Sequence, residues 1–363
     1  MTRKVCAFVV LTFLALCDSG WSQASMSRMQ ELDQNIKMVY EQLSNDPKTM
    51  NQQLAILYFN KGVVAYEDLQ STSKAMAYVR KAISFDPQMH QAYEFLGDLQ
   101  YLSQQMKQAR ASYLRAYQIN RDPRLKQKMG QLKKEFTVEK DMKKYGSSRF
   151  IIRYANGDRD YEGYQIRQIL DEAYRKVGRD FQFYPTNKIT VLLYGKENYT
   201  QFKHGLQWSA GVYDGKIRLS EDATKSVQDL RALAYHEYTH ALVQSLVGYA
   251  VPTWLHEGLA ENQEAKIQKP DLSLLQQAKV QGQLIPVETL LRVSPGQLGS
   301  NAAIALYYQQ SYSIIHYLTK KYGWSKVRKI LLSMKSGKGF EQAMFDVLRL
   351  TPKTLEKKWV GSL

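Results

Sequence analysis

The sequence His236-Glu237-Tyr238-Thr239-His240 carries the pattern that decides the fold and the chemistry of this chain. On an α-helix, residues four positions apart project from the same face, so His236 and His240 can direct their imidazole nitrogens at one metal ion. Glu237 lies on the adjoining face, where its carboxylate can reach a water molecule bound to that ion. The spacing therefore predicts a helix that binds Zn²⁺. A helix with two hydrogen-bonded histidines and an exposed glutamate is the alternative.

A zinc site that activates water needs a third protein ligand, with a fourth position left open. A third histidine at the metzincin spacing is excluded, because Val243 and Leu246 occupy the Gly and His positions of that motif. A cysteine ligand is excluded as well, since Cys6 and Cys17 both lie close to the amino terminus. A carboxylate from elsewhere in the chain therefore remains.

Glu257 is the candidate for this third ligand. Gly248 is a candidate C-cap for the first helix, and Pro252 is a helix breaker just beyond it. The apolar periodicity then resumes around Glu257, which predicts a second helix that packs back on the first and brings Glu257 beside the two histidines. His256 competes as a ligand, but it adjoins Glu257 on the helix, so we expect it to point elsewhere.

These motifs resemble the gluzincin metallopeptidases, and the sequence Trp-Leu-x-Glu-Gly around Glu257 resembles the aminopeptidase-N-like branch most closely, although Asn is usual there at the position of His256. The resemblance implies His236, His240 and Glu257 as zinc ligands and Glu237 as general base. It also implies that Glu261 holds a zinc-bound histidine from behind, with an exposed helix carboxylate as the alternative. Glu264, one turn further along, is expected to be solvated.

Tyr308 lies in a segment that resembles the helix carrying the transition-state tyrosine of the same branch. The resemblance implies that its phenol donates a hydrogen bond to the oxyanion that forms during attack on a carbonyl. A packing role is the simpler interpretation for the nearby Tyr307, Tyr312 and Tyr317.

The stretch 208–219 corresponds to the strand that carries an amine-binding glutamate in the aminopeptidase relatives. Here it contains no Glu, and Asp214-Gly215 forms a turn between two short strands. One of these strands could pair with a substrate backbone. An endopeptidase or oligopeptidase is therefore favoured over an amino-terminal exopeptidase.

Residues 1–24 are typical of an export signal. Arg3 and Lys4 precede a short apolar stretch, and Ser22-Gln23-Ala24 is a cleavage site of small residues. Lipid attachment at Cys17 is disfavoured by Leu16, and no further long apolar run predicts a transmembrane segment. The sequence thus predicts a periplasmic or secreted protein without disulfide bonds, because both cysteines lie in the leader.

The formal net charge of +16 is concentrated in places such as residues 126–144. An anionic envelope surface or acidic peptides would suit this charge, whereas nucleic acid is not expected as a partner of an exported protein with no recognisable binding module. The alternative is that the basic residues form the solvated face of a linking helix.

Residues 25–145 have helical spacing and contain two units that resemble tetratricopeptide repeats. Their small residues recur where two helices of a hairpin must approach closely, as at Gly62 and Gly97. The helices expected at 26–43 and 124–144 would cap the repeats. The repeats offer either a groove for a peptide or partner protein, or a rigid spacer.

Residues 146–363 are expected to form the metallopeptidase domain. Strands are predicted at 150–154 and 189–194, with a helix at 164–181 between them, a hairpin at 211–219 and a mainly helical lobe after Glu257. The predicted fold class is α+β: all-α helical hairpins, then a zincin-type domain with a small sheet and a helical lobe.

Two functions from different classes fit this sequence. The first is an exported zinc-dependent metallopeptidase that hydrolyses peptide bonds. The second is a non-catalytic binding or adaptor protein that uses the repeats and keeps the zincin lobe as a structural unit. The intact His236, Glu237, His240 and Glu257 favour the enzyme, because a structural lobe has no need of the base.

Overall fold

The computed structural model describes residues 21–43, 45–67, 71–154, 160–202, 211–248 and 251–363. Residues 1–20 of the predicted leader lie outside these ranges, and residues 21–24 begin the first helix. Within the described ranges, no helix is both long and apolar enough to cross a membrane.

The amino-terminal part consists of antiparallel helical hairpins, as the repeat pattern predicts. Gly62 allows two neighbouring helices to approach closely, because a Cβ atom there would lie 2.6 Å from Val79 Cγ2. Gly97 does the same in the next hairpin, where a Cβ atom would lie 2.6 Å from the Tyr113 ring. The helices are α1 (Trp21–Gln42), α2 (Pro47–Glu67), α3 (Thr72–Phe85), α4 (His90–Leu102), α5 (Met106–Asn120) and α6 (Pro123–Glu139).

The helix predicted at 124–144 is shorter than expected. It ends at Glu139, and residues 143–146 form a strand that pairs with the sheet. The spacing of the basic residues in this segment also fits a helix. Antiparallel pairing with Phe150–Tyr154 instead holds residues 143–146 in a strand. The sheet thus begins before the predicted domain boundary at 145/146.

A five-stranded mixed sheet follows, with the strand order β1-β2-β3-β5-β4. The central pairs β2–β3 and β3–β5 are parallel, while both outer pairs are antiparallel. Every residue of β3 is buried, because one face packs on the main core and the other on a smaller cluster that includes Met142 and Tyr199. The strands are β1 (Lys143–Gly146), β2 (Phe150–Tyr154), β3 (Ile189–Tyr194), β4 (Gly211–Tyr213) and β5 (Ile217–Ser220).

Most of the remaining helices pack on the main-core face of the sheet or form the carboxy-terminal lobe, whereas the helix Lys196–Phe202 contributes Tyr199 to the opposite face. The strands and the helix predicted before the metal helix lie where the sequence places them. The helices are α7 (Asp160–Phe181), α8 (Lys196–Phe202), α9 (Val227–Val247), α10 (Thr253–Glu264), α11 (Ser273–Val280), α12 (Val287–Leu290), α13 (Asn301–Tyr322), α14 (Trp324–Lys335), α15 (Phe340–Leu348) and α16 (Pro352–Val360).

The ends of α9, the helix that carries the His-Glu-x-x-His motif, follow from local sequence. The Ser226 hydroxyl accepts a hydrogen bond from the Asp229 backbone N–H at 3.2 Å, which caps the first turn. Gly248 ends the helix with φ of +90°, a backbone conformation that glycine adopts readily. The chain then reverses through Pro252 into α10.

Helix α10 lies very close to α13, and Gly258 makes this approach possible. A Cβ atom at this position would lie 2.5 Å from the Ser311 backbone oxygen, which is closer than any such contact can be. The backbones of the two helices therefore approach each other closely at this point. This approach brings Glu257 on α10 and Tyr308 on α13 to the same side of the lobe.

Candidate active site

Three candidate ligand atoms converge between α9 and α10. The Glu257 Oε2 atom lies 3.6 Å from His236 Nε2 and 3.5 Å from His240 Nε2. Ligand atoms placed tetrahedrally at about 2.0–2.1 Å from a zinc ion stand about 3.4 Å apart. Two imidazole nitrogens and a carboxylate oxygen are also a donor set that zinc prefers. The side chains thus fit a zinc ion in both spacing and chemistry, and they would hold it from two helices.

The electrostatics of Glu257 suit a ligand that must be ionised. Burial alone would raise the pKa of this carboxyl, but His240 and His236 outweigh that effect and lower it below its usual range. The carboxylate therefore keeps its negative charge, which a zinc ligand requires.

Glu264 occupies the position behind His236 that the sequence analysis gave to Glu261. The Glu264 Oε2 atom lies 2.7 Å from His236 Nδ1, while the Glu264 side chain remains only 31% exposed. This contact fixes the ring so that Nε2 faces Glu257. The expectation that Glu264 is solvated was wrong, because the crossing of α10 over α9 carries the later turn towards His236.

Glu261 lies close to the same histidine and forms a second acidic cluster with His236 and Glu264. Burial raises the pKa of Glu261 to about 7, although His236 opposes this shift. The role of Glu261 behind the metal ligand stays a prediction.

His256 does not point away from the site, contrary to our expectation. Its Nδ1 atom lies 2.7 Å from His240 Nδ1, and the two rings stack with centroids 4.5 Å apart. If His240 binds a metal through Nε2, its proton resides on Nδ1, so His240 donates and His256 accepts. Burial and the neighbouring His240 lower the pKa of His256 to about 3, so this ring is neutral and can accept.

Glu237 is buried beside the ligands, with 3% of its surface exposed. Its Oε2 atom has no hydrogen-bond partner among the described residues, which is unusual for a buried carboxylate oxygen. Burial raises the pKa of Glu237, while His236 and His240 moderate the shift. A carboxylate with one unsatisfied oxygen next to a metal site can accept a proton from a bound water.

Tyr308 faces the site from α13, and Tyr307 does not. Burial raises the pKa of Tyr308, and the nearby carboxylates of Glu257, Glu261 and Glu237 raise it further. Tyr307 instead donates its hydroxyl proton to the Val293 backbone oxygen at 3.3 Å, which is a structural contact. Tyr312 stacks on His316 with ring centroids 5.6 Å apart. Tyr308 is thus the residue of this group whose pKa responds to three carboxylates of the site, and its role towards a substrate stays a prediction.

The edge strand β4 passes directly over Glu237. A Cβ atom at Gly211 would lie 2.9 Å from Glu237 Oε1, so the glycine lets the strand approach the carboxylate. Residues 208–210 of the predicted stretch lie outside the described residues. In 211–219 the one carboxylate is Asp214, which accepts a hydrogen bond from Arg218 Nε at 2.9 Å.

An α+β fold with a His-Glu-x-x-His helix and a carboxylate from the next helix defines the class of the zinc-peptidase-like proteins. The sequence profile of the Peptidase MA superfamily matches residues 173–363, and the chain belongs to this superfamily. The profile of the tetratricopeptide repeat matches residues 55–89 and 90–123, so the chain has two such repeats within helices α2 to α5. No curated protein sequence matches the chain.

The sequence analysis named His256 and Glu264 but gave neither residue its contact in this site. A signal for Glu264 was present, because it follows Glu257 by seven residues and so lies on the same face of α10 two turns later. His256 was considered only as a competing ligand, and nothing in the sequence indicated its hydrogen bond with His240.

We expect His256→Phe to weaken zinc binding on the order of 10- to 100-fold, because His240 loses its acceptor and the freedom of its ring increases. His256→Asn is the matched control, since an amide oxygen can accept the same proton. The measurement is the zinc dissociation constant of each variant and of the unaltered protein, obtained by competition with a chelator. Equal affinities for the Phe variant and the unaltered protein would contradict this role.

Proposed function

We propose that the protein is an exported zinc-dependent peptidase that hydrolyses internal peptide bonds. The observation that carries the proposal is the convergence of His236, His240 and Glu257 beside a buried Glu237 oxygen that has no hydrogen-bond partner among the described residues. A zinc ion bound there would supply Lewis acidity and lower the pKa of water. The export part rests on the leader sequence at 1–24.

In this proposal Glu237 accepts the proton of the attacking water at Oε2 and then delivers it to the amine nitrogen that leaves. Its raised pKa suits both steps, because the group must bind the proton and release it again within one turnover. The Tyr308 hydroxyl donates a hydrogen bond to the carbonyl oxygen as negative charge develops on it.

The edge strand β4 gives the substrate a place to bind. Among the described residues β4 is the outermost strand of the sheet, and in this proposal an extended peptide runs alongside it. Gly211 brings this strand to Glu237, so a peptide paired along β4 would pass by the base. The net charge of +16 favours acidic peptides through long-range attraction.

Replacing Glu237 with Gln should leave zinc binding and folding intact and lower kcat roughly 10²- to 10⁴-fold, because an amide cannot accept the proton. Bound zinc is measured by elemental analysis, and activity by cleavage of an internally quenched peptide library. Wild-type activity in the Gln variant would show that Glu237 is not the base, whereas a zinc-loaded wild type that cleaves nothing would favour the binding-protein alternative.

Tyr308→Phe should lower kcat on the order of 10²- to 10³-fold with little change in KM, since it removes one donor to the oxyanion. Tyr307→Phe, one residue earlier on the same helix, is the matched control and should keep full kcat. The role of Tyr308 is disproved if both variants have the same kcat.

Peptides with free and with acetylated amino termini should be cleaved at the same internal bonds and at similar rates. The reason is that the one carboxylate of residues 211–219, Asp214, already binds Arg218 and is not available to a substrate amine. Mass spectrometry of the products distinguishes the two modes. Removal of single residues from free amino termini alone would mean that the enzyme is an aminopeptidase.

A further inference from the structure

Four buried charged side chains join the repeats to the sheet. Lys216 and Arg218 come from the β4–β5 hairpin, and Glu135 and Glu139 come from α6; none is more than 1% exposed. Lys216 Nζ lies 3.3 Å from Glu135 Oε2, and Arg218 Nη2 lies 3.1 Å from Glu135 Oε1. Arg218 Nη1 reaches Glu139 Oε1 at 3.5 Å. Neither α6 nor the β4–β5 hairpin can move away from the other without leaving a buried charge unpaired.

Tyrosine hydroxyls complete this cluster and fix its geometry. Tyr101 on α4 donates to Glu135 at 2.7 Å and accepts from Arg218 Nη2 at 2.7 Å. The Tyr101 ring also lies under Lys216, with Nζ 3.4 Å from the ring centroid. Such a network of charge-assisted hydrogen bonds is directional, so it specifies one position of the hairpin relative to the repeats.

The turn of the hairpin lies at the end of a groove between the repeat helices. Gly215 adopts φ of +95°, and a Cβ atom there would lie 2.9 Å from Leu102 Cδ2 at the end of α4. Asp214 lines one side of a cavity of about 610 Å³ whose other walls come from α2, α4, α5 and α6. The repeats therefore contact a segment of their own chain at the place where they could receive a partner.

The other end of the same hairpin lies at the candidate active site. Gly211 and Leu219 are partners in the β4–β5 ladder, and Gly211 contacts Glu237 and Leu233 of α9. Three residues of extended strand, about 10 Å, separate Gly211 from the turn. A shift of the turn on the repeats is therefore transmitted directly to the strand that lies over Glu237.

We propose that the β4–β5 hairpin is the ligand of these repeats, and that Lys216 is a positioning residue that sets the edge strand against Glu237. The repeats are then a part of the substrate-binding edge rather than a separate adaptor. The consequence for catalysis rests on the proposed peptidase function, whereas the anchoring of the hairpin does not.

The chain offers a matched pair of buried lysines for the test. Lys216 lies between Glu135 and the Tyr101 ring, and Lys61 lies between Asp33 and the Tyr78 ring, 4.7 Å from its centroid. Lys61 is 6% exposed and makes its contacts within the repeats, away from the hairpin. Substitution by Met removes the ammonium in either case and keeps most of the side-chain volume.

Lys216→Met should speed amide hydrogen exchange across residues 211–220 and lower kcat/KM on the order of 10- to 100-fold, mainly through KM, at unchanged zinc content. Lys61→Met should change neither quantity, even where its melting temperature falls. If Lys216→Met does not fold, Glu135→Gln replaces it, because this near-isosteric change removes the facing negative charge.

Unchanged exchange in the hairpin after Lys216→Met would overturn the proposal, as would the same hairpin exchange and kcat/KM in both Met variants. Faster exchange with wild-type kcat/KM would overturn the positioning role. If the wild-type protein cleaves no peptide, the peptidase function fails and the exchange measurement alone decides whether Lys216 anchors the hairpin.

Discussion

The convergence of two imidazole nitrogens and one carboxylate from two helices sets the requirements for the whole carboxy-terminal part. Because His236 and His240 are one turn apart on α9, helix formation alone points both side chains in the same direction. Glu257 must come from a separate helix, and its position depends on Gly248 and Pro252 at the reversal and on Gly258 at the crossing with α13. The geometry of the candidate site therefore depends on how α9, α10 and α13 pack together.

Burial by itself would raise the pKa of every carboxyl group around this centre, and the neighbouring histidines decide the net direction of each shift. Glu257 and Glu264 each contact a histidine, and their pKa values are lowered in spite of burial. In the described part of the chain neither Glu237 nor Glu261 hydrogen-bonds to a histidine, and burial raises their pKa values, to about 7 for Glu261. Carboxyl groups of one chemical type thus separate into a pair with lowered pKa values and a pair with raised pKa values, which is a common arrangement in catalytic sites.

The repeats and the sheet share one buried interface, which has both polar and apolar parts. Besides the charged cluster, Thr190 on β3 donates to the Leu102 backbone oxygen at 3.1 Å, and Arg153 on β2 donates to the Glu139 backbone oxygen at 2.7 Å. Thr72 at the start of α3 donates to Asn187 through its backbone N–H at 3.0 Å. These contacts use helix ends, where the last backbone carbonyl groups and the first backbone N–H groups lack partners within the helix. Sheet and repeats therefore complete each other's hydrogen bonding.

Local sequence determined the features that depend on periodicity and on capping. The strands at 150–154 and 189–194, the cap of α9 at Ser226 and its end at Gly248 were all predictable, because each depends on neighbours within a few residues. The two repeats were predictable from their recurring small residues.

The tertiary structure alone decided the contacts that depend on how helices cross. Glu261 and Glu264 lie on one face of α10, and only the crossing angle selects Glu264 for His236. The same geometry turns His256 onto His240, and long-range pairing converts residues 143–146 from the end of a predicted helix into a strand. A helical or extended preference is a property of a short segment, whereas the partner of a buried polar group is a property of the whole packed chain.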